Sequence, residues 1–305
     1  MMRIVQLFTL LSLVTPSFAE RPYEGPKECS DKDRVKRGDC ISYTAAVFEG
    51  QTIGLVTEGN ELEVMHDNLD QYNKTAKAVS EKGADMIVFP EWGLFGYCQN
   101  RWPKGTPAAS RDKILAFCET IGEPGVDLTN DSRQTPIMTR LAKIAKEHKI
   151  VVIANVADKT EDDKVYNTEV AIDENGILLA KYHKKNVYFK HTFNTPPEGG
   201  VNDAVTFTKF GVKFGLFVCK DFFHKNPKKM LLEQGATHFP YSVAAPKMFG
   251  LLTAPYWYKR WAKKNNSTIL ISNSDGGGGI FSGSCAVEGI LVEKKGKFIM
   301  ATIHC

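Results

Sequence analysis

"VYNTEVAIDENGILLAKYHKK", residues 165–185, decides the fold. Two strand-like runs, "YNTEVAI" and "ILLAKYH", flank the turn "DENG" at 173–176, so the stretch reads as a β-hairpin. Just upstream, "KIVVIANVAD" (149–158) is a strand with an apolar core, preceded by a helix opening at Thr135-Pro136, a cap followed by proline in the first turn. That helix presents Ile137, Leu141, Ile144 and Ala145 on one face. Downstream, "AVTFTKFGVKFGLFVC" forms a second hairpin around Gly211. A helix (227–234), a strand (237–240), a helix (251–264) and the strand "TILISNS" follow, and 280–302 is strand-like. Towards the N-terminus, "YTAAVFEG" (43–50) is a short strand. Leu62, Met65, Leu69, Tyr72, Ala76 and Val79 step by three and four along a helix, Gly83 stops it, and Met86 to Phe89 form a buried strand. Helices and strands alternate, yet hairpins interrupt them. A purely parallel sheet does not fit; two mixed sheets face to face with helices outside do.

The 305-residue chain carries a net charge of +4, too weak to imply nucleic acid or a membrane surface. "KNPKK" and "VEKKGK" read as solvated faces. Residues 1–19 have one charge, Arg3, an apolar core from Ile4 to Val14, and small residues at Ser17 and Ala19. They read as a signal peptide cleaved after Ala19. Residues 20–40 are a polar, irregular arm, and 41–305 the folded domain. The expectation is a secreted, extracellular glycoprotein with no membrane anchor. Asn73, Asn130, Asn265 and Asn266 stand in glycosylation sequons. "DGGGGI" (275–280) lacks the Lys-Ser/Thr of a phosphate cradle and reads as a loop.

Three polar residues end apolar strands: Glu91 after "MIVFP", Lys184 in "ILLAKYHK", and Cys219 after "VKFGLFV". A thiolate attacks, an ammonium steadies negative charge, and a carboxylate takes a proton and returns it to a leaving amine. Together they can hydrolyse an amide through a thioester. Each also has a structural reading. Cys219 can be a buried filler or half of a bridge, Lys184 one of a surface run with Lys181 and Lys185, and Glu91 a loop cap. Spacing alone does not join residues so distant in sequence.

"MIVFPEWGLFGY", "AKYHKKNVYF" and "FGLFVCKDFFHKNP" resemble the three signature segments of the nitrilase (carbon–nitrogen hydrolase) superfamily, in its order of Glu, Lys and Cys. The match is nearest the vanin and biotinidase branch, with similarity from about Tyr43 to Phe281. The resemblance implies an α-β-β-α sandwich and assigns Cys219 as nucleophile, Glu91 as general base and then acid, and Lys184 as oxyanion stabiliser, helped by the backbone N–H of Lys220. It implies no metal and no cofactor. Trp92, Tyr97, Asp221, His224 and Tyr241 are expected to line the pocket. The expected activity is pantetheine hydrolysis, giving pantothenate and cysteamine. The alternatives are hydrolysis of biotin amides and a catalytically weak binding protein on the same fold. The expected partner is a small-molecule amide, with a homodimer left open.

The chain departs from the branch at several points. Lys220 replaces the usual bulky neutral residue after the nucleophile; its ammonium could lower the thiol pKa or change which substrate fits. No auxiliary glutamate follows Lys184 closely, and "PYSVAAPK" lacks the tryptophan vanins carry, leaving Tyr241 as the nearest aromatic. A vanin-type C-terminal second domain is not expected. Six cysteines besides Cys219 suggest Cys29–Cys40, Cys98–Cys118 and Cys285–Cys305 by proximity. A hairpin turning at Lys295-Gly296 would bring the last pair together. His183 and His224 flank the centre and are expected to support it rather than bind metal.

Overall fold

The computed structural model describes residues 41–305, except 58, 96–113, 134, 246–253 and 295–296. The leader, the polar arm with Cys29 and Cys40, Tyr97, Cys98 and the Lys295-Gly296 turn lie outside the described residues. So does the first turn expected for the helix at 251–264.

Alternation along β1 (Ser42–Phe48) explains the layering. Tyr43, Ala45 and Val47 face one buried core, while Ala46 and Phe48 face the other. β2 (Met86–Val88) repeats the split, with Met86 and Val88 on one side and Ile87 and the following Phe89 on the other. These strands belong to an eight-stranded mixed sheet. β14 (Phe298–His304) pairs antiparallel with β1, and β1, β2 and β4 (Val151–Lys159) run parallel. The decisive hairpin is β5 (Val165–Ile172) and β6 (Leu178–His183), antiparallel beyond β4. β13 (Ala286–Glu293) closes the other edge, and the short β3 (Cys118–Glu119) pairs with β4.

The second sheet has six strands. β7 (Thr206–Lys209) and β8 (Val212–Gly215) form the hairpin around Gly211. β10 (His238–Val243) lies parallel to β8, β9 (Phe217–Val218) and β11 (Thr268–Asn273). β12 (Gly279–Ser282) pairs antiparallel with β11. The sheets bury their facing sides against each other, as Tyr43, Met86 and Ile153 meet Phe217, Phe239 and Ile271 in one cluster. The other face of the first sheet packs on α1 (Glu61–Ser80) and α2 (Pro136–His148). α3 (Lys228–Glu233) and α4 (Ala254–Lys264) contribute Leu231, Tyr258 and Ala262 to the core of the second. The result is the expected α/β sandwich with outer helices.

Two local expectations change. Leu62, read on the apolar face of α1, is exposed, and Asn68 takes a buried position on that face. Its Nδ2 donates to the carbonyls of Ile53, Val64 and Leu94 at 2.9, 2.9 and 3.3 Å, tying α1 to the loop after β2. Thr135 is the N-cap residue of α2 and Pro136 follows it in the first turn, as expected, but the buried Thr135 hydroxyl makes no capping bond and has no partner among the described residues. The carboxylate of Glu119 accepts from the Ile137 and Met138 N–H groups at 2.6 and 2.9 Å instead. An anion there meets both orphan donors and the helix dipole. Glu119→Ala is therefore expected to cost about 1–2 kcal/mol, the usual price of a lost cap, read as a lower urea midpoint at unchanged slope.

Cys285 and Cys305 are bonded across β13 and β14, closing a loop of sequence separation 20. The imidazole of His238 lies beside both sulfurs, at 3.9 and 3.5 Å, with its pKa pushed down to about 4 by burial. The glycine loop does cradle an anion, but an internal one: Gly277 and Gly278 N–H donate to the Glu49 carboxylate at 3.0 and 2.8 Å.

Candidate active site

β2, β6 and β9 all deliver their C-terminal ends to one place between the sheets. Phe89 and Pro90 follow β2, and Glu91 starts a turn that buries it to 1 % exposure. Trp92 in that turn has φ +57, and Gly93 has no room for a side chain, since a Cβ would meet Tyr72 Oη at 2.1 Å. Lys184 follows β6, is equally buried, and donates from Nζ to Glu91 Oε1 at 2.5 Å. Its ammonium also lies 5.9 Å from the Trp92 ring centroid, within cation–π range. Cys219 follows β9 with φ +44, a left-handed conformation at the start of the 3₁₀ turn Cys219–Phe223. Its thiol feels the charges of both Glu91 and Lys184. The structure thus joins the three strand-end residues that spacing alone left apart.

Burial pushes the Cys219 thiol up to about 12, with the Glu91 charge adding and Lys184 opposing. The resting sulfur is therefore protonated at neutral pH. Burial alone would lower the Lys184 pKa, but the adjoining Glu91, then Cys219 and Asp221, outweigh it and raise it. Lys184 stays an ammonium. An acidic thiol is not what the centre offers. It offers a thiol beside a carboxylate that is itself held by an ammonium, an arrangement able to couple attack to proton transfer.

Four residues unnoticed in the sequence build the surroundings. Asn167 on β5 donates from Nδ2 to Glu91 Oε1 at 2.8 Å. Asn155 on β4 accepts from the Trp92 N–H at 3.1 Å and donates to Asn167 Oδ1 at 2.8 Å and Glu169 Oε2 at 3.3 Å. Ser242 on β10 bonds the Phe89 carbonyl at 2.6 Å and the Glu169 carboxyl. A signal was present: Asn167 and Glu169 are polar, two apart, and share one face of a wholly buried strand.

The expected pocket residues divide. Asp221 does not face substrate. It is fully buried behind Cys219, accepting from Val218 N, Tyr182 Oη, Asn186 N and Asn186 Nδ2 at 3.0, 2.9, 2.8 and 2.8 Å. It sits at the third residue of the turn, where a short carboxylate reaches back to the backbone. Tyr241 is likewise fully buried; its hydroxyl donates to the Cys219 carbonyl at 2.7 Å and braces the Cys219 backbone. Trp92 is buried against the Lys184 ammonium. His224 is exposed and lines a cleft of about 350 Å³ with Lys185, Asn186, Glu198, Asp203 and Lys225. His183 stacks on Tyr166 and bonds Asp158 Oδ2 at 2.8 Å.

Lys220 turns its ammonium outward, donating to the Val187 carbonyl at 3.3 Å and lying 5.6 Å from the Tyr188 ring centroid. It does not acidify the thiol. Cys118 donates from Sγ to the Ile114 carbonyl at 3.1 Å, and its expected partner Cys98 lies outside the described residues. Among the sequons, Asn130 and Asn266 are exposed, Asn265 donates to the Trp261 carbonyl at 2.8 Å, and Asn73 bonds His148 at 2.6 Å. No helix among the described residues is long and apolar enough to cross a membrane.

Comparison with known proteins places this geometry in context. The carbon-nitrogen hydrolase family profile matches residues 59–266. Human pantetheinase is 31% identical over 265 residues, covering 78% of this chain and 49% of that protein. Biotinidase from Rattus norvegicus is 30% identical over 264 residues, covering 78% and 48%. The chain spans about half the length of the curated relatives it matches. Among solved structures, Nit3 of Saccharomyces cerevisiae, a member of branch 10 of the nitrilase superfamily, aligns with TM-score 0.63 at 18% identity, covering 86% of this chain and 90% of its own. An amidase from Nesterenkonia sp. aligns with TM-score 0.57 at 17% identity, covering 86% and 90%.

Proposed function

Because this chain belongs to the carbon–nitrogen hydrolase family, near its vanin and biotinidase branch, we propose that it hydrolyses a linear amide through a thioester on Cys219, with pantetheine as substrate. The observation that carries this reading is the buried Glu91–Lys184 pair at 2.5 Å, with the Cys219 thiol beside it at the start of a 3₁₀ turn.

Cys219 Sγ attacks the amide carbon while its proton passes to Glu91. Negative charge on the former carbonyl oxygen is met by the Lys184 ammonium and the Lys220 N–H, which leads a helical turn and has no partner inside it. Glu91 then returns the proton to the nitrogen as the carbon–nitrogen bond breaks, releasing the amine. Water, deprotonated by Glu91, attacks the thioester, and collapse frees the acid and restores the thiol. Proton and charge balance close without another reactant.

Human pantetheinase and rat biotinidase are equally similar to this chain, at 31% and 30% identity, so the preference for pantetheine over biotin amides rests on the Lys220 cation and the exposed Tyr188, which suit a polar, extended amide. Residues 1–19 read as a leader, so we place the protein outside the cell. Purified protein incubated with pantetheine is expected to release cysteamine, and with biocytin to release lysine more slowly. Release from biocytin alone would move the assignment to the biotinidase type. Release from neither, with no acyl group on Cys219 by mass spectrometry, would overturn the hydrolase reading and leave a binding protein.

A further inference from the structure

The network behind Glu91 contains a second carboxyl group that the reaction scheme does not use. Glu169 is fully buried on β5. Its Oε2 accepts from Asn155 Nδ2 at 3.3 Å, and its Oε1 touches the hydroxyl of Ser242. That same hydroxyl lies 2.6 Å from the carbonyl oxygen of Phe89. A serine hydroxyl has one hydrogen. Two oxygen neighbours at hydrogen-bonding distance, one of them a carbonyl that only accepts, can both be satisfied if the second hydrogen comes from the carboxyl. The chain then runs Glu169 O–H to Ser242 Oγ, and Ser242 O–H to the Phe89 carbonyl.

This arrangement grips the Glu91 turn at both ends. Ser242 holds the Phe89 carbonyl, two residues before Glu91. Asn155 holds the Trp92 N–H, one residue after it, at 3.1 Å. Glu169 touches both clamps, and Asn155 also orients the Asn167 amide that donates to Glu91 itself.

We propose that Glu169 is a positioning residue that works in its protonated form, locking the Phe89–Trp92 turn that presents Glu91 and keeping a second negative charge away from that carboxylate. The inference rests on the hydrolase reading and adds a residue and a pH limit to it. Burial, opposed by the Ser242 and Asn155 hydrogen bonds, pushes the Glu169 pKa up to about 8. The charged and titratable groups facing it are Glu91 from the turn after β2, Lys184 from the end of β6, and Tyr72 from α1. Above pH 8 an ionised Glu169 takes the Ser242 hydrogen for itself, releases the Phe89 carbonyl and sets a second negative charge beside Glu91.

Glu169→Gln tests this, because the amide keeps one donor and one acceptor and never ionises. Infrared difference spectra of wild type and variant at pH 6.5 are expected to show a protonated-carboxyl band in the wild type alone; its absence would overturn the proposal. The rate of Cys219 alkylation by iodoacetamide, followed by mass spectrometry from pH 6 to 10, needs no substrate. The two proteins are expected to match below pH 7.5, and the wild type to fall behind by about tenfold at high pH as the loosened turn withdraws the Glu91 base from the thiol, a part of the roughly hundredfold a positioned base supplies. Superimposable profiles through pH 10 would overturn the positioning role. If the band and the alkylation difference are present while pantetheine and biocytin stay uncleaved, the substrate reading fails and this one stands.

Discussion

Cys219→Ala is expected to lower amide hydrolysis by at least about 10⁴-fold, the scale on which removal of a nucleophile abolishes a covalent route. The loss should fall on kcat, because the residues that surround the site remain. The fold should survive. Cys219 is only half-buried, and losing one sulfur from such a site costs on the order of 1 kcal/mol. Its left-handed backbone, φ +44, is no harder for alanine than for cysteine. The Asp221 carboxylate and the Tyr241 hydroxyl, which hold the turn through backbone and side-chain groups other than the thiol, are untouched. Circular dichroism and thermal melting would check the fold, and cysteamine release the activity. Turnover within tenfold of wild type would remove Cys219 from the mechanism.

Glu91→Gln and Lys184→Met are each expected to cut turnover by at least about a hundredfold, the usual scale for a general base or one oxyanion donor. Here the structure adds a second effect. The pair is buried to 1 % on both sides, so removing either charge strands the other in the interior. Breaking such a pair costs about 3–5 kcal/mol, which for a domain of this size lowers Tm on the order of 10 °C. Lost activity in a single variant is then open to two explanations, and the double variant separates them. Glu91→Gln/Lys184→Met strands neither member of the pair, so its Tm is expected to recover towards wild type while its activity does not. Recovery of both would make the pair purely structural. Recovery of neither would show that its packing, rather than its charge balance, supports the fold.

The residues legible in the sequence were those whose chemistry and position coincide. Glu91, Lys184 and Cys219 each end an apolar run, and a strand end is where a sheet presents a side chain. The hairpin at 165–185 was equally readable, because turn residues separate two runs of strand type and its antiparallel pairing follows from the short connection. Asp221 and Tyr241 were misplaced because their roles depend on direction. A carboxylate beside a nucleophile suggests a pocket, yet in the 3₁₀ turn it points back at Val218 and Asn186. Leu62 was misassigned because helical periodicity marks a face but not where that face leaves the core.

By itself, then, the sequence determined the alternation of helices and hairpins, and with it two mixed sheets between helices. It also determined the three residue types needed for amide hydrolysis, since periodicity and motif order are local properties of the chain. Only the tertiary structure decided that the Glu91 carboxylate meets a lysine 93 positions away. It alone decided that the thiol is protonated at rest, and that Asn155, Asn167, Glu169 and Ser242 hold Glu91 and its turn from behind. The reason is physical. A pKa and a hydrogen-bond direction depend on how much water is excluded and which groups crowd in from other strands, and neither is a property of the residues adjoining in sequence.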